Sequence, residues 1–187
     1  MSRLSLSRAA LAANLALARE WAPEGARVRA MVKADAYGHG VGALIEVFAE
    51  HADELGVATL DEGLALRSRL PRELPVFLVS RAKDWESRDF LAAVRDARLV
   101  PAVSSLDELR LLVDRVGRDG PLDIELKLDT GMGRLGIRES TLPGVVSTLR
   151  AAGSLRVVGL MTHFAASDEE DLAPTRAQEL RFSRMLS

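Results

Sequence analysis

The stretch Val28-Arg29-Ala30-Met31-Val32-Lys33-Ala34-Asp35-Ala36-Tyr37-Gly38-His39-Gly40 opens as a short apolar run and closes in a glycine-rich turn. Helix-period residues follow at 43–52, where Ala43, Leu44, Val47 and Phe48 make one apolar stripe. Strand, turn and amphipathic helix together form one βα unit, and the same rhythm recurs along the chain. Further strand-like runs lie at 55–58, 76–79, 99–103, 124–128 and 157–161. Helix-like segments lie at 8–20, 62–70, 85–97, 106–116, 141–152 and 175–186. Such near-continuous apolar strands indicate a parallel sheet covered by helices, built either as a (β/α) barrel or as a doubly wound sheet. With no Gly/Ser-rich linker to divide it, the chain reads as one domain.

Local signals agree with these boundaries. Thr59-Leu60-Asp61-Glu62 and Ser105-Leu106-Asp107-Glu108 both match the capping box, in which a hydroxyl and a later carboxylate satisfy free backbone N–H groups. Asp84 is placed to cap the helix at 85–97, and Pro174 suits the opening turn of the last helix.

Composition narrows the function classes. The 187 residues are 48% hydrophobic and 28% charged, enough for a packed core. A formal net charge of −2 implies no strong field, so neither nucleic acid nor an anionic membrane is an expected partner. The absence of cysteine removes disulfides and thiolate chemistry. The three histidines, His39, His51 and His163, lack zinc-like spacing, and no metal is expected. Neither a signal peptide nor a membrane span is apparent, so the expected location is cytoplasmic. Only three lysines accompany 22 arginines, and asparagine and glutamine occur once each, as Asn14 and Gln178.

Two of the lysines sit in glycine-rich segments after apolar strands. Lys33 ends the first strand, the position at which parallel α/β folds place reactive groups. A buried strand end favours a neutral amine, the form that attacks an aldehyde. Gly38 and Gly40 let backbone approach a ligand, and Tyr37 offers a hydroxyl. Taken alone, the lysine is equally compatible with a side chain snorkelling into solvent. The second segment is Glu125-Leu126-Lys127-Leu128-Asp129-Thr130-Gly131-Met132-Gly133-Arg134-Leu135-Gly136. Strand alternation puts Lys127 and Asp129 on one face. The loop matches G-x-G-x-x-G, but it follows the fifth strand, and Arg156 stands where a ribose-binding acid is expected. A third segment, Gly159-Leu160-Met161-Thr162-His163-Phe164-Ala165, sets His163 just past a strand end.

Taken together, KADAYGHG, KLDTGMGRLG and GLMTHFA in this order resemble alanine racemases, enzymes that depend on pyridoxal 5'-phosphate (PLP). The resemblance spans nearly the whole chain. It implies an α/β fold of the (β/α)8 TIM-barrel type, here truncated after about six βα units. Residues 1–187 would then be a partial N-terminal PLP-binding barrel domain, without the C-terminal β domain. It implies that Lys33 bonds covalently to PLP and acts as base on the D-alanine face, and that Tyr37 contacts the cofactor phosphate. Arg134 would hydrogen-bond the PLP phenolic oxygen and lie near the substrate carboxylate, and the amide of Met132 would meet the substrate. His163 would flank the pyridine ring. Lys127 corresponds to a lysine often carbamylated in this family, whose anionic carbamate would orient Arg134.

The implied activity interconverts L-alanine and D-alanine, supplying D-alanine for peptidoglycan. In the intact family enzyme, a homodimer, the second base is a tyrosine of the other subunit's C-terminal domain. The single tyrosine here is Tyr37, so the chain is expected to be a truncated form with weak or no activity. Its two open sheet edges predict self-association or poor solubility. The alternative is a non-catalytic PLP-binding barrel of cofactor homeostasis, although the GMGRLG motif favours the racemase. A nicotinamide-binding domain built on Gly131, Gly133 and Gly136 is the weakest reading.

Overall fold

The computed structural model describes residues 4–79, 87–117 and 121–187. Its elements run α1 (Arg8–Trp21), β1 (Arg29–Met31), α2 (Lys33–Tyr37), α3 (Val41–His51), β2 (Glu54–Val57), α4 (Leu60–Arg67), β3 (Val76–Leu78), α5 (Arg88–Asp96), β4 (Leu99–Val103), α6 (Leu106–Val116), β5 (Leu122–Lys127), α7 (Leu142–Ala151), β6 (Leu155–Met161) and α8 (Ala173–Leu186). A 3-10 turn, Glu139–Thr141, leads into α7. Each expected strand and helix has a counterpart within a few residues, and α2 is the addition. Lys83, the Asp84 cap and the first residues of the helix expected at 85–97 lie outside the described residues. Among those described, no helix is long and apolar enough to cross a membrane.

The chain divides into two compact units, Met1–Ala82 with Ala93–Val100, and Lys83–Ala92 with Pro101–Ser187. In the first, β1 pairs parallel with β2 (Ala30 opposite Leu55), and β2 pairs parallel with β3 (Gly56 opposite Phe77). All four residues of β2 are buried, as a central parallel strand requires. One of them is Glu54, held by Arg29 at 2.8 Å and Arg27 at 3.0 Å. The Arg29 guanidinium also stacks 3.4 Å above the Phe77 ring. Helix α3 closes this core with Leu44, Ile45, Val47 and Phe48. The inward stripe therefore uses Ile45, while Ala43 is exposed.

Asp53 joins the start of β1 to the end of α1. Its carboxylate accepts from the Val28 N–H at 2.7 Å and from Arg19 at 2.9 Å. The Val28 bond first, and then Arg19, hold this carboxyl below its ordinary value of 3.8. A depressed folded-state value contributes stability above the unfolded value, and that contribution disappears as pH falls through the folded one. Asp53→Ala is therefore expected to cost about 1.5 kcal/mol near neutral pH. In urea unfolding, the gap from wild type should close once the pH falls well below 3.8.

In the second unit, β4 pairs parallel with β5 and β5 with β6. Leu109 and Leu112 of α6, with Ile124 and Val103, are fully buried. Pairing of β5 with β6 slips by one residue: Ile124 faces Val157, but Glu125 faces Gly159, leaving Val158 as a bulge. The capping devices form as expected at Thr59, where both reciprocal bonds are present. At α6, Ser105 accepts from the Glu108 N–H, while the Glu108 carboxylate reaches Ser104 N at 2.7 Å and Ser104 Oγ at 2.8 Å. Carboxylates three residues into α4 and α6 thus tie down the ends of β2 and β4 by the same device, because Glu62 accepts from Ala58 N at 2.7 Å.

Candidate functional site

Lys33 leaves β1 directly into a turn of unusual backbone. Ala34, Asp35, Ala36 and Tyr37 have φ of 49°, 54°, 54° and 56°, and Gly38 continues at 81°. Four successive non-glycine residues in the left-handed region cost roughly 1 kcal/mol or more each, so the surroundings must over-determine the turn. They do so with hydrogen bonds. Ala34 N donates to Glu62 Oε1 at 2.9 Å, so that carboxylate braces the peptide just after Lys33 as well as capping α4. Asp35 Oδ1 accepts from Val41 N at 2.8 Å, tying the turn to the start of α3. Gly40 N donates to Asp35 O at 2.9 Å, and His39 Nδ1 lies 2.7 Å from Ala36 O. The Lys33 side chain is half-buried, with Nζ 5.7 Å from the centroid of the Tyr37 ring, which is itself exposed. Beneath the turn, a cavity of about 270 Å³ is lined by Val32, Asp35, Val41, Ile45 and Glu62 among others.

In the second unit, Lys127 closes β5 and is buried. The expectation that Asp129 shares its face needs correction, because β5 ends at Lys127 and Asp129 belongs to the loop. There the Asp129 carboxylate turns inward to accept from Gly131 N at 3.1 Å and Gly133 N at 3.0 Å. Two backbone bonds close the loop, Asp129 N to Ile137 O at 2.9 Å and Ile137 N to Lys127 O at 2.7 Å. The closed loop holds Met132 half-buried and Arg134 exposed. His163 follows β6 and is exposed. Thus Lys33 stands with Tyr37 in one unit, while Lys127, Met132, Arg134 and His163 belong to the other.

Residues 6–187 match the family model described as alanine racemase, N-terminal domain. The chain belongs to the alanine racemase N-terminal domain family. An alanine racemase of Mycolicibacterium vanbaalenii is 39% identical over 189 residues, a match covering 97% of this chain and 46% of that protein. The crystal structure of alanine racemase from Corynebacterium glutamicum is 35% identical with a TM-score of 0.81, covering 96% of this chain and 49% of that one. The Bacillus anthracis alanine racemase with bound L-Ala-P is 26% identical with a TM-score of 0.84, covering 96% and 46%. The chain therefore spans about half the length of the alanine racemases it matches. These likenesses decide between the two architectures open at the outset: the fold is the α/β TIM-barrel type of alanine racemase domains. They also fit the G-x-G-x-x-G loop, whose amides and glycines serve its own closure rather than the opening of a helix.

Sequence reasoning did not single out several residues that build these sites. Glu62 was visible as a cap, but its bond to Ala34 crosses from one βα unit to another. Thr130, Thr162 and Gln178, described below, join the loops after β5 and β6.

Proposed function

We propose that this chain supplies the lysine-bearing part of a PLP-dependent alanine racemase, which interconverts L-alanine and D-alanine and so provides D-alanine for peptidoglycan. The observation that carries the proposal is Lys33, a half-buried residue two positions past β1 and at the start of a braced turn, in a chain of this family. The residues suit the cofactor: a primary amine and a phenol stand together, and a loop after β5 presents an exposed guanidinium. When bound, PLP supplies an electron sink for the charge left on Cα once its proton departs.

The remaining work falls to side chains. Lys33 holds the cofactor and moves the proton on the D-alanine face. The Tyr37 hydroxyl binds the phosphate. Arg134 donates to the phenolic oxygen and orients the substrate carboxylate, and the Met132 N–H meets the substrate. His163 flanks the pyridine ring. Lys127, carrying an anionic carbamate, would orient Arg134. A proton donor is also needed on the opposite face of Cα. Following the family resemblance, we assign that role to a second subunit of a homodimer acting in the cytoplasm.

The test is direct. Mix the purified chain with PLP, reduce with borohydride, and map the pyridoxyl-bearing peptide. Label on Lys33 is expected, and label elsewhere or nowhere would reject the proposal. Exchange of the alanine Cα proton with solvent then separates a racemase from a protein that only carries the cofactor.

A further inference from the structure

The only glutamine of the chain is almost fully buried, 5% exposed, on a helix half of whose residues are polar. Gln178 reaches from α8 to both loops that follow β5 and β6. Its Nε2 donates to Thr130 Oγ1 at 3.1 Å and to His163 O at 3.0 Å, and its Oε1 accepts from Ala165 N at 2.8 Å. Thr130 is completely buried and lies 2.7 Å from Thr162 Oγ1. Thr162 in turn donates to Leu128 O at 3.0 Å.

The donors in this network run one way. A threonine hydroxyl has one proton. Thr162 gives its proton to Leu128 O, so Thr130 must give its own to Thr162, leaving the Thr130 oxygen to accept from Gln178. The amide orientation is thereby set, with nitrogen toward Thr130 and His163 and oxygen toward Ala165. One turn along α8, Arg181 Nη1 donates to Thr130 O at 2.5 Å. The helix sits so close that a Cβ on Gly131 would stand 3.2 Å from Arg181 Nη1 and 3.3 Å from Gln178 Cγ.

We infer that Gln178 is a positioning residue: its amide locks the loop carrying Met132 and Arg134 to the segment carrying His163, in a single relative register. The inference rests on the proposed roles of Arg134 and His163 for its functional consequence, but its structural part stands alone. Glu at this position keeps the shape yet, ionised, donates nothing. Thr130 must then turn its proton toward the carboxylate and abandon Thr162, and the His163 carbonyl loses the Gln178 amide.

The test uses Q178E and Q178M in the full chain. By hydrogen–deuterium exchange, both variants are expected to exchange at least about tenfold faster in the segments 129–137 and 162–166 together, with α6 unchanged. PLP affinity should fall about tenfold in parallel, and the absorbance of the bound cofactor should shift. If Q178E fails to fold, Q178M decides. Slow exchange retained in both segments of Q178M would show that volume alone holds them and would overturn the inference. A wild-type chain that takes no PLP on Lys33 would instead defeat the proposed function, while the exchange comparison would still judge Gln178.

Discussion

Lys33→Ala is expected to abolish covalent capture of PLP while leaving the chain folded. The backbone at this point does not depend on the side chain. Val32 N is held by Gly56 O at 2.8 Å, and Ala34 N by Glu62 at 2.9 Å. The amine itself stands over the Tyr37 ring at 5.7 Å, a contact worth about 0.5 kcal/mol when exposed. The melting transition should therefore barely move. Competing amines are few, because the chain has only two other lysines, and Lys127 is 7% exposed. Borohydride labelling of the variant, read by peptide mapping, should fall to the background of Lys83 and the terminal amine. Undiminished labelling in Lys33→Ala would remove the foundation of the proposed chemistry.

Gly136→Ala is expected to be among the most damaging single-methyl additions in the chain. Gly136 has φ of 147°, and a Cβ there would lie 2.5 Å from Asp129 N and 2.8 Å from Leu128 C. These are backbone atoms, so relief requires opening the Asp129–Ile137 and Ile137–Lys127 bonds that close the loop. Strain and overpacking together should cost about 2–4 kcal/mol and displace Arg134. Gly153→Ala is the control, since nothing lies within 4 Å of a Cβ there. Urea midpoints for the two variants should differ plainly. A Gly136→Ala midpoint equal to that of Gly153→Ala would refute the close-approach argument.

Periodicity carried the architecture. The runs at 99–103 and 106–116 became β4 and α6 residue for residue: β4 is buried along nearly its whole length, as a covered parallel strand is, and α6 buries Glu108, Leu109, Leu112 and Val116 at helical spacing. Motif content likewise carried the family, through KADAYGHG and KLDTGMGRLG. The turn after Lys33 was not apparent, since Ala-Asp-Ala-Tyr has no composition that announces left-handed φ; only Gly38 and Gly40 hinted at it. Its brace, Glu62, was recognisable as a cap from Thr59, but a contact 28 residues away leaves no local trace. Asp129 was misplaced because alternation was carried past the strand's true end, where loop amides claimed the carboxylate. Gln178 was noticed only as a rarity, since polar neighbours on α8 disguise a buried position.

The supernumerary residue at Val158 sets the phase of everything after it. Side chains of a strand point alternately to opposite faces, so one residue more or fewer rotates all later ones by half a turn. Gly159, Leu160 and Met161, the rest of β6, owe their present sides to that single insertion. Homologous chains should therefore gain or lose residues within this strand in twos, or else shed the bulge and the hydroxyl pairing of Thr130 with Thr162 at one stroke.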